Sequence, residues 1–113
     1  MANIKTWLLQ AEQKSGEPIE AIVVGTHDDD TYMHNGEQPR HAAQLNRLLT
    51  REEGLDILDK EYDNGYGGPD CFPMYAWTRS RIYLIHEYDG ATGPRWLPRN
   101  PVDCEPKFGG DYG

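Results

Sequence analysis

Cysteine is scarce in this chain: only Cys71 and Cys104 occur, 33 residues apart. Neither a secreted disulfide framework nor a zinc motif of short Cys spacing can be built from them. Long apolar runs are also missing. No window approaches the roughly 18 apolar residues of a membrane span, and the early run Trp7-Leu8-Leu9 is stopped by Gln10 and Glu12, which argues against an export signal. These absences predict a soluble, cytoplasmic protein with both thiols reduced.

Basic residues are outnumbered. Eleven Lys and Arg face 19 Asp and Glu, for a net charge of −8. The imbalance sits in the first half, with −7 over residues 1–63 and −1 over residues 64–113. Phosphate neutralisation needs clustered cations, so direct binding to nucleic acid or to an anionic membrane is disfavoured and a basic partner is favoured. The plainer role of such a surface is solubility. Large aliphatics are few too: Leu, Ile, Val and Phe make up 20 of 113 residues, which by itself leans toward disorder. Seven Tyr and three Trp counter that, because they bury large areas and are what disordered chains lack. The length suits one domain with one small, aromatic-rich core.

What is present follows a clear order. Ile4, Trp7, Leu8 and Ala11 form the stripe of an amphipathic helix that Asn3 can cap and Ser15-Gly16 can end. Ile22-Val23-Val24, between Pro18 and Gly25, reads as a buried strand. Residues 27–38 read as an acidic loop. Pro39 suits the start of a second helix with the stripe Ala42, Leu45, Leu48 and Leu49. Thr50 and Glu53 form a capping box for one further turn, which Gly54 would end. Leu55–Tyr62 then reads as a strand with acids on its outer side. Met74–Thr78 and Arg81–Tyr88 read as a hairpin with Ile82, Leu84, His86 and Tyr88 on one face and Tyr83, Ile85 and Glu87 on the other. Arg79-Ser80 is poor chemistry for a two-residue turn, so a longer connection is expected. Trp96-Leu97 suggests a last short strand. The fold class is α+β, with two helices packed on one face of a mainly antiparallel sheet of four to five strands. The domain spans residues 1–97, and residues 98–113 form an irregular tail rich in Pro and Gly.

The most specific feature is an echo. Glu61-Tyr62-Asp63-Asn64-Gly65 is repeated as Glu87-Tyr88-Asp89-Gly90, each time an acidic, aromatic strand end before a glycine turn. Two such corners at one end of a sheet would suit acid–base work or a divalent cation, turn formation alone, or partner binding through rigid aromatics beside charge. No activating base or phosphate loop accompanies them. Gly65-Tyr66-Gly67-Gly68 lacks the Lys and Ser/Thr of a P-loop, and no GxSxG elbow occurs. Binding is the preferred reading, carried by Asp56, Asp59, Glu61, Tyr62, Asp63, Tyr66, Glu87, Tyr88 and Asp89, with no catalytic residue and no cofactor. The alternative is a small metal-dependent hydrolase using His27, Asp28, Asp30 and His34, although their spacing matches no known zinc motif. Arg95 and Arg99 flank Trp96, and an arginine stacked on the indole is expected there as packing.

The blocks EYDNGYGG, AWT, IYLIHEYDG and PRNP resemble those of small uncharacterised proteins carried by bacteriophages. That resemblance implies a context in the host cytosol among inhibitors of bacterial defence, including anti-CRISPR proteins that bind the basic nucleic-acid channel of their target. It transfers no site residue. The expected function is a non-catalytic inhibitor that acts as a nucleic-acid mimic on the basic surface of a host protein or nucleoprotein complex. A second expectation is capture of a nucleotide signal, with Tyr and Trp on a base and arginines at the phosphates. A virion assembly role is a third.

Overall fold

The computed structural model describes residues 2–26, 42–62, 71–88 and 91–112, with backbone alone at 42, 88 and 91. The elements are α1 (Ile4–Ser15), β1 (Ala21–Val24), a 3-10 turn (Ala42–Gln44), α2 (Arg51–Leu58), β2 (Met74–Trp77), β3 (Arg81–Tyr88), β4 (Ala91–Pro98) and β5 (Asp111–Tyr112). The strands form one antiparallel sheet in the order β1-β2-β3-β4-β5. Both helices lie on one face of it, making the α+β architecture that the alternation of elements implies.

Period-two alternation assigns the two sheet faces. Ile22, Ala76, Tyr83, Trp96 and Asp111 are neighbours across the five strands and share the helix side. Ile22, Val24, Met74, Ala76 and Tyr83 join Ile4, Leu8 and Ala11 of α1 and Leu55, Ile57 and Leu58 of α2 in a single buried cluster. Burying each of these larger side chains contributes about 1.5–3 kcal/mol.

α1 forms as its sequence specifies. Asn3 caps it by accepting from the Thr6 amide at 3.1 Å, and Gly16, at φ 72°, closes it by donating its amide to the Glu12 carbonyl at 2.9 Å. Glu12 ties the helix to its surroundings. Its two carboxylate oxygens accept from Arg51 Nη2 at 2.7 Å and Nε at 2.8 Å, and one also accepts from the Ile19 amide at 2.7 Å. This two-pronged pair clamps α1 to α2, and the Arg51 guanidinium beside it holds the Glu12 carboxyl below its usual range.

Five sequence expectations need correction. The second helix is not the one with the stripe 42/45/48/49. After the 3-10 turn, Asn46 takes a positive φ of 62° and gives its amide to the Val24 carbonyl, ending any helical continuation, and Leu49 bridges Ile22 in extended form. The start at Pro39 lies outside the described residues. The helix is instead α2, where the segment 55–62 reads as a strand. The Thr50/Glu53 capping box forms as expected, but Gly54 does not end the helix: it lies against Ile22, where a Cβ would come within 2.5 Å of the Ile22 Cβ. Its missing side chain lets α2 pack closely on β1.

The last strand expected at Trp96-Leu97 is eight residues long despite Pro94 and Pro98. β5 covers it only at Arg95 and Trp96, so most of β4 is an edge where a missing amide donor is tolerated. The segment after residue 98 is not irregular throughout either, because the chain returns through exposed residues 99–109 to pair β5 with β4.

The hairpin between β2 and β3 forms, and its turn is supported from outside. Glu17 accepts from Thr78 Oγ1 at 2.8 Å, from the Ser80 amide at 3.1 Å and from Ser80 Oγ at 2.7 and 2.9 Å. Arg99 adds a bond from Nη1 to the Thr78 carbonyl at 2.9 Å. These partners supply what Arg79-Ser80 lacks as turn chemistry.

Candidate functional site

α2 divides its residues sharply. Gly54, Leu55, Ile57 and Leu58 are buried, whereas Glu52, Glu53 and Asp56 are exposed, and Asp59 and Glu61 continue the exposed acidic run beyond the helix end. The nearby bases already have partners: Arg51 with Glu12 and Glu52, Lys5 with Asp59 at 3.5 Å, and Lys60 over the Phe72 ring. The Thr50 amide lowers the Glu53 carboxyl, and the Asn3 amide, followed by Lys5, lowers that of Asp59. Both therefore stay charged at neutral pH.

Of the residues expected from sequence to bind a partner, Asp56, Asp59 and Glu61 are on this acidic side. Asp59 and Glu61 also serve the fold, since Asn3 Nδ2 donates to Asp59 at 3.0 Å and to Glu61 at 3.4 Å. Tyr62 is not a surface anchor. It is buried, packs edge-on against Trp7 with centroids 6.0 Å apart, and shares a 3.0 Å hydrogen bond with Thr92. Burial pushes its phenol pKa up, with the Cys71 thiol adding to the shift. The reason is local. Tyr62 and Ala2 exchange two backbone hydrogen bonds, and this bridge turns the ring inward. Thr92 in turn sits directly across from Glu87 on β4, so Tyr62 of the first acidic word is bonded to the neighbour of the second. Tyr88 ends β3. Asp63, Tyr66 and Asp89 lie outside the described residues, as do His27, Asp28, Asp30 and His34. Among the described residues no group of three or more His, Cys, Asp or Glu is arranged to hold a metal ion, and no helix is long and apolar enough to cross a membrane.

Glu52 and Glu53 were not among the expected binding residues. The capping box and the spacing of Leu55 and Leu58 carry a helical signal that would have placed them with Asp56, but the Leu55/Ile57 alternation and Gly54 compete with it.

The other face of the sheet differs in kind. Val23, Tyr75, Trp77, Ile82, Leu84, Arg95, Leu97 and Tyr112 lie on it, none of them buried, with Tyr75 55% and Tyr112 76% exposed. No acidic residue of the five strands faces this way. Tyr75 and Trp77 meet edge to face with centroids 6.2 Å apart, and Arg95 stacks on Tyr112 at 3.9 Å. The arginine on the Trp96 indole is Arg81, also at 3.9 Å, rather than Arg95 or Arg99, and Arg99 pairs with Glu20 at 2.7 Å. Arg81 pairs with Pro98 and lies diagonally from Trp96 on the helix side of the sheet, a cross-strand neighbour that linear proximity does not reveal.

Compared with known proteins, the chain matches no family model, no curated protein and no solved structure.

Proposed function

We propose that this chain is a non-catalytic binding protein that seats the acidic side of α2 on a basic surface of a host protein, acting as a phage-borne inhibitor that occupies a nucleic-acid site. The observation that carries this reading is the exposed run Glu52, Glu53 and Asp56 on a helix whose apolar residues are all turned into the core, continued past its end by Asp59 and Glu61. Carboxylates on a rigid helix can stand in for phosphates before Arg and Lys, and the surrounding negative field speeds encounter with a cationic partner.

The double variant Glu52→Lys/Asp56→Lys tests it, since neither side chain is in the core. Binding to the partner should fall by at least about a hundredfold, with only a modest loss of thermal stability from placing a cation in the first turn of α2. Wild-type affinity should weaken steeply between about 0.05 and 0.5 M salt. Affinity insensitive to both charge reversal and salt would overturn the proposal.

A further inference from the structure

In this acidic chain several basic side chains are neutralised where they stand: Arg51 by Glu12, Arg99 by Glu20, Arg79 by Glu17 and Lys5 by Asp59. One cleft has the opposite balance. It has a volume of about 430 Å³ and opens between the last turns of α1 and strands β3 to β5, lined by Lys14, Arg81, Lys107, Trp96, Asp111 and Tyr112. That volume falls within the roughly 300–1,000 Å³ of small-molecule sites. Lys107 and Asp111 pair at 3.0 Å and cancel. Lys14 and Arg81 remain, and among the described residues neither has a carboxylate within ion-pair distance.

Lys14 has a local reason to be where it is, because the C-terminal end of α1 favours a cation. That does not account for Arg81 converging on the same space. The Arg81 guanidinium lies flat on the Trp96 indole and, among the described residues, gives only Nη1 to Tyr83 Oη, at 3.2 Å, out of five N–H donors. Stacking fixes the plane of the fork, so its remaining edge is pre-aimed for a planar or tetrahedral oxyanion. Trp96 is itself held by a bond from Nε1 to the Tyr112 carbonyl at 3.0 Å. The Tyr112 ring itself stacks on Arg95 on the opposite face of the sheet, so at this cleft Tyr112 acts through the carbonyl that fixes Trp96. Two unneutralised cations beside an indole match a ligand that joins a phosphate to a planar ring.

We infer that this cleft binds a small phosphorylated aromatic ligand of the mononucleotide class, with Arg81 and Lys14 on the phosphate and Trp96 beside the ring. The inference is independent of the acidic side of α2.

Calorimetric titration of the full chain at low salt with AMP, adenosine and inorganic phosphate tests it. AMP should bind one to one with a dissociation constant below about 1 mM, and adenosine and phosphate should each bind at least about tenfold more weakly. Lys14→Glu, at an exposed helix position, should weaken AMP binding by about tenfold or more, with only a small drop in melting temperature from placing an anion at the C-terminal end of α1. Arg81→Lys keeps the charge but loses the fork, and should also weaken it. No AMP binding at millimolar concentration overturns the inference. So does adenosine or phosphate binding as tightly as AMP, or unchanged AMP affinity in Lys14→Glu.

Discussion

The helix side and the bare side of the sheet are built from alternate residues of the same strands, yet they are treated in opposite ways. On the helix side Ile22, Ala76 and Tyr83 are sealed under α1 and α2, and charge is displaced outward onto the far surface of α2. On the bare side aromatic and aliphatic groups remain accessible and no strand contributes an acid. The two acids of the strands, Glu87 and Asp111, both lie on the helix side. An apolar sheet face kept free of carboxylates does not repel an approaching anionic or neutral surface, whereas α2 attracts a cationic one. The two sides are suited to different contacts, and each can be altered without the other.

The largest effect should come from prising the helix layer off the sheet. Gly54→Ala inserts a methyl 2.5 Å from the Ile22 Cβ. Despite the gain in helix propensity, denaturant unfolding should show a net loss of about 1–3 kcal/mol. Next is Tyr62→Phe, which leaves the buried Thr92 hydroxyl without its 3.0 Å partner and should lose about 1–2 kcal/mol by the same measurement.

A third comparison uses pH. Hydrogen bonds from Ser80 and then Thr78 hold the Glu17 carboxyl down to about 2 from the usual 4.5. Its folded pKa is below its unfolded one, so its contribution is complete above pH 4.5 and is lost as pH falls from 4.5 toward 2. The stability gap between wild type and Glu17→Gln should therefore narrow across that window when thermal melts are compared. A gap constant with pH would remove Glu17 as the source. Smallest of all, Tyr75→Ser on the bare face should shift stability by no more than about 0.5 kcal/mol, since the ring covers no core residue. A loss as large as that of Gly54→Ala would show that this face is sealed rather than open.

Much of the fold was legible because its signals are local. The Asn3 cap, the Ser15-Gly16 stop, the β-branched run of β1 and the alternation in β2 and β3 all act within a few residues. The elements that escaped depend on partners distant in the chain. Gly54 reads as a helix breaker until Ile22 is seen to occupy the space a side chain would need. Asn46 interrupts a good apolar stripe because Val24 accepts its amide. β5 exists only through pairing with β4. The candidate site divides in the same way: the acidity around residues 52–61 is visible in the sequence, but its helical presentation is not. Lys14, Arg81 and Lys107 give no local sign that they line one cleft. The Glu-Tyr-Asp echo promised two equivalent corners, and the first instead gives its tyrosine to the core.

Glu17 also bears on how the molecule assembles. A β-hairpin ordinarily closes on its own residues, but the turn at Thr78–Ser80 receives its hydrogen-bond acceptor from a side chain 61 to 63 positions earlier. The corner also closes locally, through the Thr78 amide to the Arg81 carbonyl at 2.9 Å and the Arg81 amide to Thr78 Oγ1 at 3.1 Å. Glu17 therefore couples an already closed turn to the docking of the segment that follows α1, and a peptide containing only β2 and β3 would keep the local closure but lose this tie.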